Sequence, residues 1–338
     1  FPPERALPRA RLARPELVPG PTLMRRLVMP TWRTPPAPLA PERETHMAIA
    51  ANLVKDLRER TGAGMMECKK ALVDSGGDID AALELLRTRG QAKAEKKAGR
   101  IAAEGQILMA ASSSKDVTVI LEVNCETDFV AKDENFQRFA MAATQLAAAG
   151  QPDSVAALMG LQLPDGQTLE NARLDLVAKV GENITVRRFE SVRPLGKLSS
   201  YFHGTRIGVL VDVEGADAEL GKDLAMHIAA SNPRYLSPDD VPESFRASER
   251  RILTEQAAGE GKPPEIVAKM VEGRLRKYLN EVALIGQPFV KDPDTSIGKL
   301  LKDRGGRVHR FVRLEVGEGI EKKSENIAEA VAAMHSQG

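Results

Sequence analysis

The sequence predicts an α+β fold, with antiparallel sheets and their helices forming the core, a small all-helical unit ahead of it, and an antiparallel helical hairpin inserted late in the chain. Three observations predict it. Apolar residues recur at four-residue spacing between positions 48 and 90, in short runs broken by glycines. Alternating apolar runs then come in clusters, with helical stretches between them. Finally, two narrow-striped helical segments flank the turn-forming run Gly259 to Pro264.

The helical unit comes first. Ile49, Leu53 and Leu57 give one stripe, and Thr61-Gly62-Ala63-Gly64 ends that helix. A second helix carries Met65, Met66, Ala71 and Leu72 and stops at Gly76-Gly77. Met65 and Met66 are neighbours, so they point in different directions and one is expected in the core. Asp78 is a natural N-cap for the third helix, whose stripe is Ile79, Leu83 and Leu86 and whose expected terminator is Gly90. A unit of this size has a thin core and needs the rest of the chain, or a partner, for firm stability.

The first strand signal is Val117 to Val123, followed by the turn-prone Asn124-Cys125-Glu126. A helix is expected from about Asn135 to Ala149, starting near Asp133, and another from Leu169 to Val180. Ile184 to Phe189 alternates again, while Ser199–His203 and Gly208–Val213 read as a hairpin. Lys222 to Ala230 is helical and ends before Asn232-Pro233, and His309 to Val316 is a further strand. The inserted hairpin covers about 242–284. Phe245, Ile252 and Leu253 lie on one arm, and Ile266, Met270, Leu275, Tyr278 and Val282 on the other. Each stripe is too narrow for a full core, so the arms should pack on one another, with Pro264 in the first turn of the second arm where its missing donor costs nothing. The expected division is 1–46, 47–100, 101–192, 193–316 and a C-terminal helical module at 317–338.

The first 46 residues hold about half of the chain's 21 prolines and many arginines. Prolines break a long helix, and Glu4, Glu16, Glu42 and Glu44 are foreign to an organellar transit peptide. The segment reads as a disordered, or non-native, extension ahead of a start at Met47, with a targeting segment as the alternative.

Composition excludes several classes. With 48 basic and 47 acidic residues the formal charge is +1, a poor match for a protein built to coat nucleic acid. Lys93, Lys96, Lys97 and Arg100 form the densest basic cluster, which a solvated helix face explains. Two distant cysteines, Cys68 and Cys125, give no disulfide framework and no metal-ligand spacing, which fits a reducing, cytoplasmic compartment. No apolar run approaches the ~20 residues needed to cross a bilayer. The sequence lacks a phosphate-binding loop, a Gly-x-Ser-x-Gly elbow, a His-Glu-x-x-His pair and a Cys-x-x-Cys pair. Asp239, Asp240, Asp292 and Asp294 flank prolines and read as turn residues. An enzyme with its own catalytic or metal site is disfavoured, no cofactor is expected, and an interaction protein is left.

Thr127-Asp128-Phe129-Val130 is the most informative stretch. It places a carboxylate and a bare phenyl ring together on a connection between a strand and a helix, where function concentrates. From the residues alone two readings stay open. Phe129 tucks into its own core, as most phenylalanines do, or it fills a partner's pocket.

That stretch, together with Asn52 to Lys70, Val180-Gly181-Glu182-Asn183-Ile184, Tyr201-Phe202-His203-Gly204, Gly286-Gln287-Pro288-Phe289-Val290 and Val316-Gly317-Glu318-Gly319-Ile320-Glu321, closely resembles the elongation factor Ts family from about Met47 onward and in order. The resemblance implies a ubiquitin-associated-like domain for the N-terminal helices and a coiled-coil insertion for the hairpin. It also implies a guanine-nucleotide exchange factor that binds GDP-bound and nucleotide-free elongation factor Tu, with no membrane or direct nucleic-acid partner. Thr127, Asp128, Phe129 and Val130 would enter the partner's nucleotide site and disturb its magnesium. Met65, Met66 and Lys69 would dock on the nucleotide domain, supported by Lys97, Val180 and Gly181. His203, Phe289 and Val290 would grip a second domain. Lys291 departs from the family, where an apolar residue also occurs. Homodimer, 1:1 and 2:2 arrangements stay open, and an RNA- or ribosome-associated binding module is the alternative reading.

Overall fold

The computed structural model of the chain describes residues 50–259 and 262–321. The expected 1–46 extension and most of the expected C-terminal helical module therefore lie outside the described residues.

Helices α1 (Ala51–Thr61), α2 (Met65–Asp74) and α3 (Ile79–Lys97) form the N-terminal unit. Gly62 caps α1 in the left-handed conformation, φ 67°. Asp78 caps α3 by accepting from the amides of Asp80 and Ala81. Leu57, Cys68, Ala71, Leu72 and Ala82 are buried together, with Leu53, Ile79, Leu83 and Leu86 packed around them. Met65 and Met66 are both exposed, at 58% and 73%. The expectation that one is core fails because Cys68, Ala71 and Leu72 already occupy the inner face of α2. The third helix also runs past Gly90, its expected terminator. Gly90 is buried, and a Cβ there would sit 3.2 Å from the Cβ of Ala178, so close helix approach rather than helix ending explains this glycine.

Two three-stranded antiparallel sheets form the rest of the core. The first has the order β1 (Glu104–Ala111), β2 (Thr118–Cys125), β3 (Thr185–Val192). Between β2 and β3 the chain makes α4 (Asp128–Ala131), α5 (Glu134–Gly150), α6 (Val155–Gly160) and α7 (Leu169–Val180). Val119, Leu121 and Val123 of β2 pack with Phe136, Phe139, Ala143 and Ala147 of α5 and with Leu176 and Val177 of α7. The second sheet has the order β4 (Lys197–His203), β5 (Ile207–Glu214) and a last strand at Arg307–Glu315. Helix α8 (Ala218–Ser231) packs on it through Leu220, Leu224 and Ile228.

The two sheets meet through Ile107 and Ile120 from the first and Leu210, Val312 and Leu314 from the second. Gly208 allows the approach: a Cβ there would lie 2.6 Å from Cγ2 of Ile107. Strand β2 is thus covered on both faces. Asn124 and Cys125, expected in a turn, are buried strand residues paired with Gly105 and Glu104.

The inserted hairpin is α9 (Glu243–Ala258) and α10 (Pro264–Val282), with Pro264 in the first turn of α10. Phe245 stacks on Tyr278 at 6.0 Å between ring centroids, and Arg250 reaches Glu272 across the arms at 2.8 Å. Two helices share one line of contact, so the seam buries Ala257, Val271 and Leu275 and leaves Ile252 and Ile266, expected on inner stripes, exposed. After it come the short strands β6 (Pro288–Phe289) and β7 (Asp292–Ser296), helix α11 (Ile297–Asp303), and the last strand, β8. Asp292 and Asp294, expected in turns, lie in β7. Asp239 and Asp240 do sit in a turn of 3-10 helix capped by Ser237.

Candidate partner-binding surface

Residues 127–131 form a single helical turn rather than an irregular loop. The Thr127 hydroxyl accepts from the Val130 amide at 3.4 Å and so acts as N-cap of α4. Val130 packs partly against the first core and Ala131 is buried. Two buried groups grip the turn from below: the Gln106 amide donates to the Ala131 carbonyl (2.6 Å), and the Cys125 thiol donates to the Thr127 carbonyl (3.1 Å). Burial, with the Glu182 and Glu104 carboxylates nearby, pushes the Cys125 thiol up to about 12. It stays protonated at neutral pH, as a donor and not a nucleophile.

With the inner side of the turn anchored, its outer side projects. Phe129 is 80% exposed, which removes the core reading of this residue in the free chain. Asp128 is also exposed and forms an ion pair with Lys132 four residues on, at 2.7 Å. The hydrogen bond from Lys132 holds the Asp128 carboxyl below the usual carboxylate range, so it is ionised at neutral pH.

The loop after α7 completes this side. Gly181 ends α7 in the left-handed conformation at φ 88°. The Lys97 amine lies 3.7 Å from where a Gly181 Cβ would sit, and Val180 packs partly on the first core. The next residue, Glu182, accepts from the amides of Glu126 (3.1 Å) and Thr127 (3.0 Å) and from the Thr127 hydroxyl (2.7 Å). In return the Glu126 carboxylate accepts from the Asn183 amide at 2.6 Å and faces Arg100 at 3.6 Å. Thr127, Asp128, Phe129, Lys97, Val180 and Gly181 are thereby brought together. Glu126, Glu182 and Asn183 are the members that sequence reasoning passed over, although two of them lie inside the Val180–Ile184 motif.

Met65, Met66 and Lys69 lie on the exposed side of α2. Lys93 of the basic cluster is ion-paired with Glu67 of α2, so with Arg100 beside Glu126 the cluster is interleaved with acid.

His203, Phe289 and Val290 belong to the second sheet unit. His203 is exposed at the end of β4, 3.4 Å from the Tyr201 hydroxyl. Phe289 is only 7% exposed and packs on the buried His227 at 6.1 Å between ring centroids. Its ring fills the second core and is not offered at the surface, whereas Val290 is 42% exposed. The Val290 amide donates to Nδ1 of His227 (3.4 Å), which places the proton on Nε2, facing Oε1 of Gln287 at 3.0 Å. Burial lowers the His227 pKa against the pull of Gln287, so the ring that orients Val290 is neutral.

Among the described residues, no group of three or more His, Cys, Asp or Glu side chains is placed to hold a metal ion. No helix among them is long and apolar enough to cross a membrane.

The family model described as "Elongation factor TS" matches residues 126–318. The chain is 57% identical over 289 residues to "Elongation factor Ts" of Thioalkalivibrio sulfidiphilus, covering 85% of this chain and 98% of that protein. It is 56% identical over 288 residues to the protein of that name from Alkalilimnicola ehrlichii and 54% identical over 288 residues to that from Methylococcus capsulatus, again covering 85% of this chain and 98% of each relative.

Proposed function

The chain belongs to the elongation factor Ts family, and from that premise we propose that it is a guanine-nucleotide exchange factor for elongation factor Tu, acting in translation elongation in the cytoplasm without covalent chemistry of its own. It engages the GDP-bound partner and loosens its hold on GDP and magnesium. The observation that carries this reading is Phe129, a phenyl ring 80% exposed on a turn anchored from beneath. A free protein gains nothing from holding such a ring in water, and an apolar slot in a partner gives it a use.

In this account Phe129 enters a slot beside the nucleotide, and Asp128 exchanges its Lys132 pair for contact with groups around the magnesium. Burying a phenyl ring is worth about 1.5–3 kcal/mol, or about one to two decades in an equilibrium constant. Further contacts must therefore share the work. Met65, Met66 and Lys69 supply them toward the nucleotide domain, with Lys97, Val180 and Gly181 beside the wedge. His203 and Val290 hold a second domain. Phe289 acts from within, as the support beneath Val290. The RNA-binding alternative loses ground because Lys93 and Arg100, two of the four residues of its basic cluster, face Glu67 and Glu126.

Coupling is reciprocal: a factor that weakens GDP binding must itself be weakened by GDP in the same ratio. Titration calorimetry should give an affinity for nucleotide-free elongation factor Tu at least about tenfold above that for the GDP complex. Equal affinities would mean that the chain shifts no equilibrium, and the exchange reading would be lost.

A further inference from the structure

We propose that Glu182 is the positioning residue of the Phe129 wedge, and that its exchange of hydrogen bonds with residues 126–127 locks the wedge to the exit of the N-terminal helical unit. The inference rests on the exchange reading above. Its starting point is that α4 has one turn and cannot hold itself, because a first turn fixes several dihedrals for one hydrogen bond. Phe129 is too exposed to be oriented by packing, so its direction is set by its backbone.

Glu182 supplies that restraint. A single carboxylate holds the amides of Glu126 and Thr127 and the Thr127 hydroxyl, while the same hydroxyl receives the Val130 amide. Hydrogen bonds to an ionised acceptor are the stronger kind. Glu126 closes the clamp from the other side through the Asn183 amide at 2.6 Å. Asn183, only 2% exposed, then donates to the carbonyls of Ala98 (3.3 Å) and Arg100 (2.8 Å), just beyond the end of α3. Gly181 makes the geometry possible, since its φ of 88° turns the chain back toward Thr127. Three segments, 98–100, 126–127 and 182–183, are thus tied at one point. A wedge held this way is already aimed when it reaches the partner, so little ordering is left to the step that releases the nucleotide.

The consequence is a split between affinity and rate. Contacts of Met65, Met66 and Val290 survive loss of Glu182, whereas the wedge loses its direction. Glu182→Ala should lower the maximal stimulated rate of GDP release about tenfold while changing the affinity for the partner less than about threefold. Glu182→Gln, with the same size and one acceptor oxygen left, should lose about two- to threefold and covers the case in which the alanine variant does not fold.

The decisive arm repeats Glu182→Ala in a Phe129→Ala background. A residue that acts chiefly through Phe129 then has only Asp128 of the turn left to position, and the further loss should be under about threefold. A tenfold loss in both backgrounds would make Glu182 a general structural residue and overturn the proposal. So would an unchanged rate for Glu182→Ala when the parent chain stimulates release. Hydrogen exchange in the free chain gives a reading that needs no partner: the amides of Glu126 and Thr127 should exchange about tenfold faster in Glu182→Ala. Unchanged exchange would overturn the clamp. A parent chain that stimulates nothing would overturn the exchange reading, with the exchange rates of these two amides judging the clamp separately.

Discussion

Replacing Phe129 with alanine is expected to slow stimulated GDP release from elongation factor Tu by about one to two decades, the value of one buried phenyl ring. The free protein should hardly notice. At 80% exposure the ring contributes almost no packing, and the melting temperature should move by no more than surface substitutions do, about 0.5 kcal/mol in stability. Stopped-flow release of a labelled nucleotide gives the first quantity and circular dichroism the second. Loss of folded structure in the variant would contradict the exposed position of Phe129 and the role built on it. The contrast is informative because Phe136 and Phe139, a few residues on, are buried in the first core. Alanine at either should destabilise the chain by about 3–5 kcal/mol.

The second large effect is on the frame. Glu122 is fully buried, and its carboxylate accepts from Nε of Arg188 (2.6 Å), Nη1 of Arg187 (3.0 Å), the Asn124 amide (3.1 Å) and the Gly317 backbone amide (2.8 Å). It joins the first sheet to the chain leaving the second. Gly317 is needed there, because its φ is 73° and a Cβ would lie 2.2 Å from the Ala103 carbonyl oxygen. Glu122→Ala leaves two guanidinium groups short of their partner, and a cost of about 3 kcal/mol is expected, at the low end for a broken buried pair because both arginines reach solvent. For a chain of this size that lowers the melting temperature by roughly 5–10 °C.

The same carboxylate sets an acid limit. Burial raises its pKa, but Gly317, Arg188 and Asn124 outweigh burial and hold it below the ordinary 4.5. A depressed carboxylate pKa gives stability that is complete above the unfolded value and is lost as pH falls through the folded one. The stability difference between the parent chain and Glu122→Gln should therefore be constant at neutral pH and shrink below about pH 4.5. A difference that persists unchanged at pH 3 would remove Glu122 as its source.

Much of this frame was legible in the residues, and the parts that were not share physical causes. Helices with strong local signals could be read directly: Asp78 capping α3, Pro264 opening α10, and Gly181 closing α7 at the expected residue. Strand β1 could not. Its central residues are buried and it shows no apolar–polar alternation to betray it. Asn124 and Cys125 have turn composition, but pairing with β1 overrides it. At Gly90 the local rule for ending a helix lost to close packing against Ala178.

The surface followed the same division. The Thr127–Val130 motif singled out this turn, yet not its shape, because a one-turn helix has no periodicity to read. Phe289 stood out as an apolar residue in a motif, but sequence does not say which way a side chain faces, and the contact with His227 turns it inward. Glu182 and Glu122 were ordinary acids until their partners were known, and those partners lie 55 and 195 residues away in the chain for Thr127 and Gly317. Distance along the chain, more than weak chemistry, hid them.

The central claim is that this chain opens another protein's grip on GDP, and the off-rate of labelled GDP from elongation factor Tu tests it most directly. With excess unlabelled nucleotide, the rate should rise with added chain and reach a plateau well above the spontaneous rate. A rate that stays at the spontaneous value, at concentrations where binding is saturated, would contradict the account.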